Sequence, residues 1–348
     1  MTKTGPASAV SAVSAVSAAT PRPRPVRIDP ALVRQTLKDA GLRARHSMSQ
    51  NFLADPEVLE AILGEAAPGP GRHVLEIGPG LGFLTGGLLE TGAEVTAVEL
   101  DRGLAAFLRD RFADQLEVGR LRLIDGDALD LDLTRVVPPP YDVVANLPYH
   151  ITSPILHRLL GATPRPERLV LMVQREVAER IASPPGGMSY LSVFVQYHAK
   201  VRIAFEVPPE AFEPEPAVRS AVIVVEPYPA DDRLPSPDAE DALWRLVQAS
   251  FRERRKMLHN VLSRQLPVEP ARVAAALAAA GIAPDRRPQT VAGGEWLALL
   301  EAFGEIGPDR RGRRADEPAV DVGAATALDA ASESGDFDES DASIEPTP

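Results

Sequence analysis

Apolar and polar residues form two different patterns between about residue 31 and residue 305. Short runs rich in Val, Ile and Leu have the length and composition of buried strands, and stretches of helical periodicity separate them. This alternation predicts a mostly parallel sheet connected by crossover helices. The predicted strands cover residues 73–77, 94–99, 121–125, 142–146 and 169–174.

The pattern changes in the second half of the chain. Residues 192–201 and 217–225 also have the composition of strands, and no helix of good periodicity separates them, so we expect an antiparallel pair at the edge of the sheet. A proline-rich link over 227–237 follows, and beyond it the pattern is helical over 242–251, 254–264, 270–280 and 294–303. The predicted fold class is α/β with a small C-terminal all-α domain.

Both ends of the chain lack the strand-like and helical patterns. Residues 1–30 repeat Ser-Ala-Val and then Pro-Arg, and residues 306–348 become rich in Ser and Asp. Such segments bury too little apolar surface to offset the entropy lost on ordering. We therefore expect a disordered arm over 1–30, folded domains over 31–230 and 238–305, and a disordered acidic tail over 306–348.

The acidic balance of the chain comes mainly from that tail. The net charge is −12, but residues 315–348 hold ten acidic side chains and no basic one, which leaves about −2 for the rest. Total charge therefore does not exclude a nucleic acid as partner.

The composition excludes several kinds of chemistry. The chain has no cysteine, which rules out disulfides, thiolate nucleophiles and cysteine-held metals, and we expect no metal. No stretch reaches ~18 apolar residues, and the N-terminus lacks the shape of a secretory signal. We expect a cytoplasmic protein that does not contact a membrane.

A glycine-rich turn follows the first predicted strand. Gly78, Gly80 and Gly82 allow the backbone to turn sharply and approach a ligand beyond the carboxyl end of the strand. The next two strands end near Glu99 and Asp127, whose carboxylates are suited to accept from ribose hydroxyls and from an adenine amino group. Either carboxylate alone is equally well explained as a solvated loop residue, but acids at successive strand ends favour a nucleotide-like cofactor.

The fourth predicted strand ends in a tetrapeptide suited to amine chemistry, Asn146-Leu147-Pro148-Tyr149. The Asn146 side-chain oxygen and the Leu147 carbonyl can accept the two hydrogens of an adenine amine and favour its attack on a sulfonium methyl group. Pro148 restricts the loop, and Tyr149 offers a flat face for an extruded base. An ordinary strand-to-helix turn is the alternative interpretation.

Six motifs in this order resemble the ribosomal RNA adenine dimethyltransferases, and the match covers roughly residues 43–262. They are Gln50-Asn51-Phe52-Leu53, Glu76-Ile77-Gly78-Pro79-Gly80, Glu99-Leu100-Asp101, Gly126-Asp127-Ala128, Asn146-Leu147-Pro148-Tyr149 and Phe212-Glu213-Pro214-Glu215-Pro216-Ala217-Val218. The resemblance implies a Rossmann-like class I methyltransferase sheet whose last strand is antiparallel. It also implies transfer of two methyl groups from S-adenosyl-L-methionine to each of two adjacent adenines near the 3′ end of 16S rRNA, in the immature small ribosomal subunit.

The same resemblance implies roles for single residues. The cofactor-binding set is Asn51, Leu53, Gly78, Glu99, Asp127 and Asn146. The catalytic set is Asn146, Leu147, Tyr149 and Phe212, in which the last two sandwich the adenine. Plain core packing is an equally good explanation of Phe212. The sequence departs from the family pattern at Ser49 and Glu215, which affects the loop before Gln50 and the base pocket.

A basic stretch near the start of the helical region is similar to one in the family and predicts contacts with RNA phosphates. It contains Arg252, Arg254, Arg255 and Lys256. A solvated helix face is the alternative explanation. A second group, Arg43, Arg45 and His46, precedes the Gln50-Asn51 motif and is a further candidate for holding RNA. We expect the protein to be a monomer.

Four other functions remain open on the sequence. A macrolide-resistance-type 23S rRNA adenine methyltransferase shares the early motifs, although Tyr149 favours the small-subunit type, because the resistance enzymes more often have Phe there. A nicotinamide-dependent oxidoreductase would use the same glycine and acid layout but leaves residues 146–149 unexplained. The third is an assembly or transcription factor that binds RNA without turnover, and the fourth is a DNA adenine methyltransferase.

Overall fold

The computed structural model describes residues 28–45, 50–229, 237–304 and 306. Its strands are β1 (Phe52–Leu53), β2 (His73–Ile77), β3 (Glu94–Glu99), β4 (Leu121–Asp125), β5 (Tyr141–Asn146), β6 (Arg168–Gln174), β7 (Ala199–Val207), β8 (Phe212–Glu213) and β9 (Ser220–Pro227). The helices up to β9 are α1 (Pro30–Asp39), α2 (Pro56–Ala66), α3 (Phe83–Glu90), α4 (Arg102–Arg111), α5 (Ala113–Glu117), α6 (Leu133–Val136), α7 (Thr152–Gly161), α8 (Arg175–Ile181) and α9 (Tyr190–His198). Four more follow: α10 (Pro237–Phe251), α11 (Leu258–Gln265), α12 (Pro270–Ala279) and α13 (Gly293–Phe303).

Seven strands form one sheet in the order β4-β3-β2-β5-β6-β9-β7. Strands β2 to β6 pair in parallel, and β9 pairs antiparallel with both β6 and β7. The five parallel strands were predicted within one residue of their observed bounds, and the expected antiparallel last strand is confirmed. Because the parallel strands point the same way, their carboxyl ends meet at one edge of the sheet.

Both faces of the inner strands are buried, and successive residues of such a strand enter different cores. Val74 and Val144 pack on one face with helices α1 to α4. Leu75 and Val143 pack on the other face with α7, α8, α9 and the four C-terminal helices. The central strands β5, β6 and β9 are therefore mostly apolar, which explains why their composition indicates strands.

The prediction of a strand over 192–201 is wrong for most of its length. Residues 190–198 form α9, and only from Ala199 does the chain become the edge strand β7. Ser189 caps the helix by accepting from the Ser192 backbone N–H at 3.2 Å, while Ser192 accepts from the Ser189 N–H at 2.9 Å. This helix is buried nearly all round, so its sequence has no polar face to reveal a helical period. The antiparallel pairing of the two edge strands, β7 and β9, is confirmed.

The C-terminal helices pack on the sheet domain through an aromatic contact. Trp244 of α10 is buried with its ring centroid 5.0 Å from that of Phe194 in α9. The prediction that a helix begins at residue 254 is wrong, because α11 begins at Leu258. Residues 252–255 form turns instead, so the basic stretch does not lie on a helix face.

The folded part extends slightly beyond the predicted limits. Ile28 is buried, and Asp29 caps α1 by accepting from the Leu32 N–H at 2.8 Å, although both were assigned to the arm. Ile306, assigned to the tail, is also buried. Some predictions concern positions outside the described residues. They are the disorder of 1–27 and 307–348, the RNA contact of His46, and the departure from the family pattern at Ser49. Within the described ranges, no helix is long and apolar enough to cross a membrane.

Candidate active site

A cavity of about 480 Å³ opens at the carboxyl ends of β2, β3, β4 and β5. Its walls include all six residues of the predicted cofactor-binding set: Asn51, Leu53, Gly78, Glu99, Asp127 and Asn146. Leu147 and Tyr149 of the predicted catalytic set line the same cavity. The fold thus brings together residues that are up to about a hundred positions apart, because parallel strands deliver their last residues to one edge.

The glycine-rich turn forms one wall of the cavity. Gly78, Gly80 and Gly82 all have positive φ values, of +70°, +58° and +77°, which side chains rarely tolerate. A Cβ atom on Gly80 would lie 3.1 Å from the Phe52 ring. The turn therefore needs glycine both for its backbone conformation and for its close approach to β1.

Glu99 stands at the end of β3 with both carboxylate oxygens held by backbone donors. The Gly80 N–H donates to Oε2 at 3.1 Å, and the Asp101 N–H donates to Oε1 at 2.8 Å. Burial raises the pKa of Glu99, and these two hydrogen bonds oppose that shift by favouring the ionised form. These two hydrogen bonds link the glycine turn to the end of β3.

Glu76 is a second buried acid in the cavity wall, and its motif alone does not predict a separate role for it. The residue is 1% exposed, and its carboxylate accepts from the Thr85 hydroxyl at 2.7 Å. Burial raises its pKa to about 8, with a smaller contribution from the neighbouring Glu99. An acid as the penultimate residue of a buried strand was a signal that could have identified it.

Asp127 shapes the turn after β4. Its Oδ1 accepts from the Leu129 N–H at 2.8 Å, and its backbone carbonyl accepts from Asp130 and Leu131. The side chain is half-buried at the cavity wall, where one carboxylate oxygen is already used by the turn. This position is compatible with the predicted contact to an adenine amino group.

Asn146 joins the catalytic loop to the segment before β1. Its Nδ2 donates to the Asn51 carbonyl at 3.3 Å, while no donor among the described residues bonds its Oδ1. The Leu147 N–H donates to the Met172 carbonyl at 3.1 Å, which fixes the loop against β6. The described residues also provide no hydrogen bond to the Leu147 carbonyl. Two acceptors suited to one amine are therefore available in the cavity.

The two predicted aromatic residues differ in placement. Tyr149 lines the cavity, and burial raises its pKa. Phe212 does not line it: this side chain is 1% exposed and packs in the core, on a strand paired with β1. The structure therefore favours the core-packing explanation for Phe212 in this conformation, and its stacking role stays a prediction.

The predicted RNA-contacting residues lie in the connection between α10 and α11. Arg255 and Lys256 are exposed, Arg254 is half-buried, and Arg252 donates to the Gln265 side chain at 3.2 Å. Arg45 of the second basic group forms an ion pair with the buried Asp101 at 3.1 Å. Among the described residues, no group of three or more His, Cys, Asp or Glu is arranged to hold a metal ion.

Comparisons with known proteins agree with this geometry. The model of the family described as "Ribosomal RNA adenine dimethylase" matches residues 41–303. A relative from Anaeromyxobacter sp. (strain K), named "Ribosomal RNA small subunit methyltransferase A", is 43% identical over 276 residues, which cover 76% of this chain and 94% of the relative.

Two solved structures of methyltransferases share the fold. The 23S rRNA methyltransferase ErmE superposes with a TM-score of 0.58 at 30% identity, over 73% of this chain and 100% of ErmE. A dimethyladenosine transferase from Plasmodium falciparum gives a TM-score of 0.61 at 26% identity, over 72% of this chain and 97% of that structure. These likenesses confirm the predicted Rossmann-like methyltransferase fold. The chain belongs to the ribosomal RNA adenine dimethylase family and is an rRNA adenine dimethyltransferase.

Proposed function

We propose that this enzyme uses S-adenosyl-L-methionine to dimethylate two adjacent adenines near the 3′ end of 16S rRNA in the immature small ribosomal subunit. The observation that carries the proposal is the position of Asn146 and Leu147, whose oxygens are available in the same cavity as Glu99 and Asp127. The same cavity therefore contains both hydrogen-bond acceptors for a substrate amine and carboxylates suited to bind a nucleoside.

The residues of the cavity fit such a cofactor. The Glu99 carboxylate, already oriented by two backbone N–H groups, is suited to accept from ribose hydroxyls. Asp127 and the Asn51–Leu53 segment line the same space, and the bare backbone of Gly78 permits close approach. When bound, S-adenosylmethionine supplies a methyl group on a positively charged sulfur.

The catalytic loop supplies acceptors for the adenine amine. The nitrogen lone pair is delocalised into the purine ring, and two acceptors on its hydrogens favour the pyramidal form that attacks. Asn146 Oδ1 and the Leu147 carbonyl are these acceptors, and the Tyr149 ring lies beside them as a surface for the base. The amine would become cationic on taking the methyl group as its bond to sulfur breaks, before losing a proton to water, and the same two oxygens would stabilise that charge.

The choice of small-subunit RNA rests on the comparison of relatives. Identity is 43% with the small-subunit methyltransferase of Anaeromyxobacter but 30% with the 23S rRNA methyltransferase ErmE. The exposed Arg255 and Lys256 would contact RNA phosphates, together with Arg252 and Arg254. We further propose that the enzyme acts as a monomer in the cytoplasm.

A methyl-transfer assay tests the proposal directly. Labelled S-adenosylmethionine is offered with immature small subunits, large subunits or DNA, and Asn146→Ala is assayed in parallel. We expect dimethyladenine only in small-subunit RNA, at two adjacent positions near its 3′ end, and a much lower rate of its formation with the variant. Label confined to large-subunit RNA would assign the enzyme to the 23S type, and label in DNA would contradict the RNA substrate.

A further inference from the structure

A buried serine holds the hydroxyl of Tyr149 from across the sheet. The Tyr149 hydroxyl and the Ser220 Oγ are 2.9 Å apart. Tyr149 follows β5, whereas Ser220 is the first residue of β9, and β6 lies between these two strands. The side chain of Tyr149 therefore extends past the end of β6, at the edge of the sheet where the cavity opens.

The surroundings make this a fixed anchor. Ser220 is 0% exposed, and its backbone is paired with Gln174 of β6 and Val207 of β7. Strands on both sides thus hold Ser220 in place, and bulk water does not reach its side chain to replace the contact. Among the described residues, Tyr149 has no other hydrogen-bond partner for its hydroxyl.

The anchor acts on a side chain that otherwise has two free torsions. A Tyr ring attached only at its Cα can rotate about χ1 and χ2, and a hydrogen bond at the far end restricts both. Stacking with a base depends on the plane of the ring, and amine attack depends on where that base lies relative to Asn146. The orientation of the ring is therefore connected to the rate of transfer.

We propose that Ser220 is a positioning residue for methyl transfer, which fixes the plane of Tyr149 so that the stacked adenine presents its amine to Asn146 and Leu147. The inference deepens the proposed function and rests on its assignment of Tyr149 to the target base. Ser220 does not itself line the cavity and its hydroxyl contacts that of Tyr149, the ring assigned to the RNA base, so we expect its effect on the base and not on S-adenosylmethionine.

A double-mutant cycle tests this assignment, with Ser220→Ala, Tyr149→Phe and both together. Whichever ribosomal RNA the unaltered enzyme labels serves as substrate. Each single variant should lower kcat/KM for RNA by about tenfold, the size of one buried hydrogen bond, and should act mainly on kcat. The double variant should be no slower than either single one, and the KM for S-adenosylmethionine should stay unchanged in all three.

Ser250→Ala is the matched control, because Ser250 is also fully buried and donates to a carbonyl, that of Leu246, within α10. It should retain unaltered kcat/KM. Multiplying losses in the double variant, or a raised KM for S-adenosylmethionine in Ser220→Ala, would overturn the positioning role. Labelling of large-subunit RNA would instead overturn the proposed substrate and leave the cycle measurable on that RNA.

Discussion

Asn146 and Asn51, which lie far apart in the chain, meet through a hydrogen bond of 3.3 Å from the Asn146 side chain to the Asn51 carbonyl. The bond joins the end of β5 to the segment that leads into β1. Both residues line the cavity, so the Asn146 side chain has two roles there. Its nitrogen closes the site by binding Asn51, and its oxygen is available to the substrate amine. This dual use makes Asn146 the residue on which cofactor binding and transfer should depend together.

Replacing Asn146 with Ala should therefore impair two measurable quantities. Loss of an acceptor that stabilises developing charge should lower kcat by roughly a hundredfold or more. Loss of the contact with Asn51 should also weaken S-adenosylmethionine binding, measured by calorimetry. Asn146→Asp keeps an oxygen acceptor but cannot donate to the Asn51 carbonyl, so it should also bind the cofactor weakly. Unaltered cofactor affinity in both variants would show that this hydrogen bond does not hold the cavity closed.

Glu76 should make the stability of the cofactor-free enzyme depend on pH. Its pKa is raised by burial from 4.5 to about 8, so the folded state retains a proton that the unfolded chain releases at lower pH. The free energy of unfolding should consequently fall as the pH rises from about 4.5 to about 8, by up to about 1.4 kcal/mol per pH unit. Above about pH 8 this contribution should no longer change with pH.

The measurement is urea unfolding across that window, with and without Glu76→Gln. The amide cannot ionise, so the variant should lose the part of the slope that Glu76 contributes. Glu90→Gln, at the exposed end of α3, is the control and should keep the slope of the unaltered enzyme. Equal slopes in all three proteins would show that the Glu76 carboxyl is not protonated in the folded state.

The sequence was sufficient to predict the parallel sheet and most of the cavity. A run of apolar residues such as Leu169 to Val173 in β6 has the composition of a buried strand, and parallel topology brings residues such as Glu99, Asp127 and Asn146 to one edge. These site residues were therefore predictable from their positions at strand ends. Their assignment to a particular cofactor came from the resemblance and not from spacing alone.

Features decided by tertiary packing were not predictable. Helix α9 is rich in residues that also suit strands, and its burial on nearly all sides leaves no polar face from which a helical period could be read. The buried environment of Glu76 and the contact of Tyr149 with Ser220 depend on elements far away in the chain. The burial of Phe212 is of the same kind, because one aromatic residue in a loop motif does not indicate which side it faces.

The turn between α10 and α11 should contribute salt-dependent RNA affinity. Arg255 and Lys256 are exposed there, so replacing both with Ala should weaken RNA binding and lower the slope of log K against log salt by up to about two. Filter binding across a salt series measures both quantities. Lys200→Ala, at an exposed position of the edge strand β7, is the control. A salt slope unaltered by the double replacement would remove this turn from the RNA interface.

Comparing Gly80→Ala with a glycine replacement elsewhere should distinguish an effect on cofactor binding from the backbone strain that any positive-φ position would show. Gly80 has a φ of +58°, and an added Cβ would lie 3.1 Å from the Phe52 ring. Gly71 has a similar φ of +75° but open space around it, so Gly71→Ala carries the same kind of strain without the contact.

Both variants should lose about 1–2 kcal/mol of stability from the left-handed backbone. Only Gly80→Ala should also weaken S-adenosylmethionine binding, because relieving the contact moves either Phe52 or the N–H that holds Glu99. Thermal unfolding and cofactor titration on the two variants measure these effects separately. Equal cofactor affinity in both would mean that the turn accommodates the methyl group, and that glycine is needed there only for its φ.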